Sequence, residues 1–524
     1  MKERFLLVLA VVAAVLLVLA GCAPQEAEEE TAEEQETPDR IVVAIGAEPE
    51  ALDPIAMASA PAATVSEHIS QPLVYMSPEG ELQPSLVTDW EAAEDNLSWT
   101  LTLREGVTFH DGEPFNAEAV KANLDRFMDP ESAAPFAFLL SEIESVEVTG
   151  EYEVQLNLDR PFAPIMSHLS HSFIGMISPA QIAETPAGEP VELPVGTGPY
   201  SIVEWNRGES ILLERNEEYW GDTPVINEVL WRFITEDSAR VVALESGEAH
   251  VIMRVPPVDA PRIEENADFE VARPTSVRTI YLGFNTEVEP FGDARVRRAL
   301  NMAVDKQAIV DNILQGNATV ATAPVVPSVF GYTEAGPYEY DPEMARELLA
   351  EAGYADGFSI NLYHPTGRYL LDSTVAEAVQ AQLAEIGVEA ELVTLEWSSY
   401  LQTLRQAPSD AEHDIYMLGW GTVTLDADYG LYPLMHSSQR APDGWNVSYY
   451  ANSTVDELLS EARSNPSASE RDDLYDEAIE SIWTDAPWLY LYNEGQINAY
   501  AAGIEGLIHH PLENVFVWDA EFTN

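Results

Sequence analysis

Apolar residues first gather in one unbroken run, 5–19, directly behind Lys2 and Arg4. Residues 23–38 then carry no apolar periodicity at all and are dominated by Glu, which predicts a solvated, self-repelling tether. Beyond it, Ile41-Val42-Val43-Ala44-Ile45 is a compact apolar run that suits a buried strand. Trp99, Leu101 and Leu103 alternate with Thr100 and Thr102, and Arg104-Glu105-Gly106 leads into Val107 and Phe109, which predicts a hairpin with one buried face. Asn116 can cap a helix whose Val120, Leu124 and Phe127 fall on one side. The later chain changes period. Asp341-Pro342 opens a helix that buries Leu348 and Leu349 and stops at Gly353. A strand over 358–363, a helix over 373–386 halted by Gly387, and a strand over 388–393 make a βαβ unit, and a further apolar run follows at 415–418. A β-rich first part and a parallel α/β later part predict at least two lobes of an α/β protein, with any ligand between them.

The first apolar run is too short to span a bilayer comfortably and ends at Leu19-Ala20-Gly21-Cys22. A basic start, an apolar stretch and small residues form a secretory signal, and Leu-Ala-Gly-Cys resembles the bacterial lipoprotein box. Cys22, the one cysteine of the chain, would then carry the lipid. Several acyl chains at about 0.8 kcal/mol per buried CH₂ would hold the protein to a membrane surface. The expected location is extracytoplasmic, lipid-anchored, periplasmic or on the outer cell surface. Nothing downstream of the signal is long and apolar enough to cross a membrane, and no disulfide can form in the mature chain.

Charge changes the picture next. The 524 residues include 90 Asp and Glu against 25 Lys and Arg, a formal charge of −65. With 46% hydrophobic residues the chain is not a disordered polyacid. Nucleic acid is excluded as a partner, because binding phosphates takes clustered basic residues. Only Lys2, Lys121 and Lys306 are lysines. Concentrated external salt, in which a carboxylate surface stays soluble, accounts for this bias, as does a GC-rich genome favouring Arg codons. Motifs for chemistry are missing. There is no Gly-x-Ser-x-Gly, His-Glu-x-x-His, phosphate loop or Gly-x-Gly-x-x-Gly. His168 with His171, and His509 with His510, lack neighbouring ligands at metal-site spacing. The expectation is a protein without cofactor, metal or catalytic site.

Pro84-Ser85-Leu86-Val87-Thr88-Asp89-Trp90 and the stretch Leu101 to Glu118 (LTLREGVTFHDGEPFNAE) resemble the signature of family 5 extracellular solute-binding proteins. So do Pro194-Val195-Gly196-Thr197-Gly198-Pro199-Tyr200, Leu213 to Gly221 (LERNEEYWG), Leu282-Gly283-Phe284-Asn285-Thr286, Val296-Arg297-Arg298-Ala299-Leu300, Tyr340-Asp341-Pro342 and Asp485-Ala486-Pro487-Trp488. These motifs run in order over essentially the whole mature chain. The stretches 365–383 and 419–434 are similar to chains described as glutathione-binding or oligopeptide-binding. The resemblance implies a periplasmic-binding-protein-like fold of two closing lobes with an extra inserted lobe. Its parts would be a signal at 1–21, a tether at 22–38, a discontinuous first lobe (39–70, 196–282 and 487–524), an insert at 71–195 and an α/β lobe at 283–486. The implied role is capture of a peptide-like solute for a membrane permease of the ABC type, with separate ATPase subunits and the binding protein acting as a monomer. Nickel chelates or oligosaccharides are the alternative solutes, and a peptide sensor or chaperone is the alternative role.

The resemblance also implies the ligand residues. Arg368, on a loop ahead of a helix, would take a carboxylate through its planar fork; the alternative is a surface Arg paired with Asp372. Relatives place an ammonium-binding Asp three residues after the Trp of a Gly-Trp pair, where this chain has Val423. Asp426 and Asp428 follow closely and could substitute, Asp428 being preferred. Trp420 would either line the cleft or finish the core. Tyr200 is a weaker candidate that suits a structural role as well.

Overall fold

The structure, a computed structural model, describes residues 39–523. The signal, the tether and Cys22 lie outside the described residues. Strand Arg40–Ile45 forms where the apolar run predicts it and pairs in parallel with Glu228–Phe233 on one side and Val251–Ile252 on the other. Around it grows a seven-stranded sheet, in the order Phe269–Ala272, Asn498–Ala501, Val251–Ile252, Arg40–Ile45, Glu228–Phe233, Ser210–Arg215 and Tyr200–Asn206. One sheet is thus assembled from the start, the middle and the end of the described chain.

A four-stranded antiparallel sheet carries the region between. Its strand Ser98–Leu103 has the predicted alternation, with Leu101 and Leu103 buried. Its partners, however, are Val87–Ala92 and Glu153–Leu158, not the residues that follow it. The predicted hairpin is corrected by a second turn. Gly112, at φ +86°, donates to the Phe109 carbonyl at 2.9 Å and folds 107–109 onto 113–115 instead. Helix Ala117–Met128 begins as predicted, with the Asn116 side chain accepting from the Ala119 N–H at 3.0 Å and Val120, Leu124 and Phe127 buried.

The six-stranded sheet runs Ala318–Val320, Trp488–Gly495, Thr275–Phe284, Ile415–Gly421, Phe358–Pro365 and Val388–Leu395. Phe358–Pro365, helix Asp372–Glu385 and Val388–Leu395 form the βαβ unit, the two strands pairing in parallel over their whole length. Helix Pro342–Glu351 has its Asp341 cap, which accepts from the N–H groups of Glu343 and Met344. Strands Thr275–Phe284 and Trp488–Gly495 are central members of this sheet. The chain therefore crosses between the two sheets between Ala272 and Thr275 and again between Gly495 and Asn498. The sequence reading ends the first lobe at 282 and resumes it at 487. Both strands are buried on two faces over most of their length and show no alternation of apolar and polar residues, so their sequence does not say which sheet they join.

Candidate functional site

Two groups of buried charge stand out, and the first, beside these crossings, is built around Arg278. Arg278 stands on strand Thr275–Phe284, just past one crossing. Its Nε donates to Oε1 of Glu513 and its Nη1 donates to the Gly419 carbonyl at 2.8 Å. Glu513 comes from the C-terminal segment, whose Val515 and Val517 pack into the core of the seven-stranded sheet. From that same sheet's side Arg254 reaches across, its Nη2 donating to Oε2 of Glu513 at 3.1 Å and its Nη1 to the Arg368 carbonyl at 3.0 Å. Arg254 (φ +58°) and Glu513 (φ +67°) both hold left-handed backbone, which costs a non-glycine residue about 1–3 kcal/mol. Two strained residues of one lobe thus meet where Arg278 enters from the other.

The loop before helix Asp372–Glu385 supplies Arg368. Asp372 does not pair with its guanidinium. Its carboxylate accepts the N–H groups of Gly367 (3.3 Å), Arg368 (2.9 Å) and Tyr369 (3.2 Å), winding the loop around the helix N-terminus. The Arg368 guanidinium lies 5.0 Å from the ring centroids of both Tyr369 and Trp397. Among the described residues none accepts a hydrogen bond from it. Burial pulls this guanidinium down to about 10, helped by Arg278 and Arg254 and opposed by Tyr369 and Glu513. Glu494, at the end of strand Trp488–Gly495, accepts the Leu370 N–H at 3.1 Å and lies 3.8 Å from Arg278 Nε. Burial pushes Glu513 up, but Arg278 and Arg254 outweigh it and hold this carboxyl well below the usual range. Three guanidinium groups therefore meet two carboxylates. On a chain of formal charge −65 this is a local excess of positive charge.

The second group absorbs the two candidate acids. Asp426 caps helix Ala427–Met435, accepts the Asp428 N–H at 3.0 Å, and holds Nη2 of Arg471 at 2.7 Å. Asp428 has Nε of Arg463 at 2.9 Å and Nε2 of His168 at 3.4 Å. Burial raises the Asp428 carboxyl, yet Arg463 and His168 bring it below its ordinary value. Arg463 also approaches Glu142 at 3.4 Å, so this group ties the inserted region to the α/β lobe. Trp420 donates from Nε1 to the Tyr429 carbonyl at 3.0 Å, and its half-buried ring packs on the cores of both regions. It sits one residue from the Gly419 carbonyl held by Arg278. Tyr200 is 0% exposed, with its hydroxyl on the Ile226 carbonyl at 3.1 Å inside the core of the seven-stranded sheet. The Gly196–Tyr200 segment is shaped by close approach, since a Cβ on Gly196 would lie 1.9 Å from the Ile69 carbonyl oxygen. Among the described residues no set of three His, Cys, Asp or Glu side chains could hold a metal ion, and no helix is long and apolar enough to cross a membrane.

The sequence singles out Arg368 but not Arg254, Arg278, Glu494 or Glu513, which the fold brings into its neighbourhood. A signal existed for two of them. Arg278 interrupts the apolar run 277–284, and Glu494 ends the run 488–492; a charge in a strand buried on both faces needs a partner. One step from the site, Glu67 accepts from the Ser172 hydroxyl and from Asn514 Nδ2 at 3.3 Å. Burial pushes its carboxyl up to about 7 against the pull of Ser172. An acid raised by folding adds stability below its unfolded value and loses it as pH rises through the folded one. Glu67→Gln is therefore expected to be neutral in the acid range and to stabilise above neutral pH by up to about 3 kcal/mol, read from denaturant unfolding at the two pH values.

Residues 81–442 match the model described as bacterial extracellular solute-binding proteins, family 5 Middle. The chain belongs to this family. This solute-binding protein is 33% identical over 473 residues to the glutathione-binding protein GsiB of Salmonella typhimurium, covering 89% of this chain and 91% of that one. Among solved structures, it is similar to the ABC transporter-associated periplasmic binding protein DppA from Helicobacter pylori in complex with the peptide STSA. The TM-score is 0.83 at 28% identity, covering 93% of this chain and 99% of that one. NikZ from Campylobacter jejuni in complex with Ni(L-His) gives 0.82 at 25% identity, covering 91% and 97%. The α/β fold of this solute-binding protein is the two-lobed architecture of these periplasmic binding proteins, and the relatives are described as binding proteins.

Proposed function

We propose that this protein captures peptides with a free C-terminal carboxylate between its two lobes and hands them to an ABC-type membrane permease. Peptides of the dipeptide to oligopeptide class and glutathione are the solutes in view. The carrying observation is the Arg368 guanidinium, which has no carboxylate partner among the described residues, beside the place where Arg254 and Glu513 of one lobe meet Arg278 of the other. A ligand carboxylate there would form the charge-assisted, two-pronged bond that a guanidinium favours. The crossings between the sheets adjoin Arg278 and Glu494, so a rotation about them would open and close this contact. Trp397 and Trp420 offer flat apolar walls beside it. Hydrolysis of ATP belongs to separate subunits, and Cys22 is proposed as the lipid attachment that keeps the monomeric protein at the membrane. A nickel chelate bearing carboxylates is the second reading, favoured by the likeness to NikZ with its bound Ni(L-His).

Isothermal calorimetry at high and low salt, against glutathione, di- to pentapeptides and Ni(L-His), tests the proposal. Heat with one or more peptides is the expected result. Silence with every peptide sinks it, and heat with the chelate alone transfers the function to metal uptake.

A further inference from the structure

The inserted region touches the α/β lobe at several points. The Ala163 N–H donates to the Arg463 carbonyl at 2.8 Å, and the rings of Phe136 and Phe138 lie 6.2 and 5.8 Å from those of Trp445 and Tyr429. Within this contact His168, on helix Ile165–Leu169, is buried with both ring nitrogens facing oxygens. Nδ1 lies 2.8 Å from the Leu139 carbonyl, which can only accept, so this nitrogen carries a proton. Nε2 lies 3.4 Å from Oδ2 of Asp428, an ion-pair distance without hydrogen-bond alignment. In the neutral ring Nε2 is then a bare lone pair set against a carboxylate, which repels it. Only the imidazolium, with a proton on each nitrogen, turns this contact into an attraction.

The surrounding charges call for the same proton. Among the described residues three buried carboxylates gather here, Asp426, Asp428 and Glu142, against two buried guanidinium groups, Arg471 and Arg463. Arg160 also reaches Glu142, at 2.7 Å, but its side chain is 68% exposed and solvent screens it. Strand Val74–Met76 and the turn Ala137–Leu140 pack on the helix of His168 and bring no charge. Burial, then Glu67, keeps the Tyr75 phenol of that strand protonated. His171 is pulled down to about 3, by burial and then by His168, and stays neutral. A buried carboxylate in excess is costly, and an imidazolium beside it removes the cost.

We propose that His168 and Asp428 form a proton-operated clasp: closing the inserted region onto the α/β lobe takes up a proton at His168, and losing that proton loosens the closed form. The inference rests on the two-lobed architecture and is indifferent to which solute is held. The inserted region is fastened to the chain of the seven-stranded lobe by Arg126, whose guanidinium holds both oxygens of the buried Asp53 at 2.8 and 2.6 Å. Opening of the lobes therefore parts His168 from Asp428. The sign is fixed by linkage. A proton bound on closing favours the closed form as pH falls through the range in which histidine titrates, and disfavours it as pH rises.

Small-angle X-ray scattering of the empty protein at roughly pH 5.5 and pH 8.5 tests the clasp. Concentrated salt in both samples screens the net charge of −65 but weakens a buried pair little. The wild type should have the larger radius of gyration at the higher pH. His168→Gln and Asp428→Asn should each give the same value at both. Glu67→Gln, which removes a second buried group that titrates in this range, should keep the wild-type change. A wild type that does not respond, or that contracts as pH rises, overturns the inference. So does a folded His168→Gln that keeps the change. Should that variant fail to fold, Asp428→Asn decides in its place. Should neither fold, the wild type and Glu67→Gln decide, and a change abolished by Glu67→Gln overturns the role of His168.

Discussion

Arg278→Met is expected to lower the unfolding free energy by about 3 to 5 kcal/mol. Methionine fills much of the same volume, so the loss is electrostatic. Glu513 keeps Arg254 but loses its closest cation in a buried setting, and the Gly419 carbonyl loses its donor. The pH dependence has a defined sign. Glu513 is held below the usual carboxylate range, so its share of the stability is present above the unfolded value and is lost as pH falls toward the depressed folded one. Subtracting the stability of Glu513→Gln from that of the wild type should therefore give a difference that shrinks on acidification, and Arg278→Met should flatten that slope. The double variant should lose less than the sum of the two single losses, because both remove one contact. Denaturant unfolding from neutral into acid pH measures all four proteins. Additive losses, or an Arg278→Met protein as stable as the wild type, would show that the inter-lobe group is not coupled as its geometry requires.

The second large effect falls on binding and spares stability. Arg368→Ala removes a guanidinium that donates to no carboxylate among the described residues and that burial and two neighbouring arginines already disfavour. Its melting temperature should stay close to the wild-type value. Peptide affinity should instead fall by about 2 to 5 kcal/mol, roughly 30-fold to a few thousand-fold in Kd. Lysine at this position should restore only part of the loss, since an ammonium lacks the planar fork. Peptides amidated at the C-terminus should bind the wild type and the variant equally weakly. Unchanged Kd values for the free peptides would move the carboxylate elsewhere in the cleft.

The contrast between Arg368 and Tyr200 shows how far the residues could be read in line. Both lie in motifs that the sequence singled out. Arg368 is a charge on a turn ahead of a helix, a place that leaves a side chain free to face a cleft. Tyr200 follows a Gly-Thr-Gly-Pro segment that is just as conspicuous, yet its glycines serve the approach to the Ile69 and His68 carbonyls and the ring is sealed in a core. Asp426 and Asp428 make the same point. Their composition and position suited an ammonium, but Arg463 and Arg471, on helices Ser453–Ser464 and Ala468–Asp485, claim them first.

By itself the sequence determined what depends on neighbours along the chain. The strand at 41–45, the capped helices after Asn116 and Asp341 and the βαβ unit all follow from apolar period and from caps within a few residues. The family motifs likewise lie in order along the chain, and the family followed from them. Tertiary structure alone decided which strands share a sheet and which charges meet. Arg278 and Glu513 are 235 residues apart and Arg254 and Glu513 are 259 apart. No local spacing encodes those pairings. Burial makes each lone charge costly, and only the folded arrangement of the two sheets brings the partners that remove the cost, leaving Arg368 as the guanidinium of this group with no carboxylate partner among the described residues.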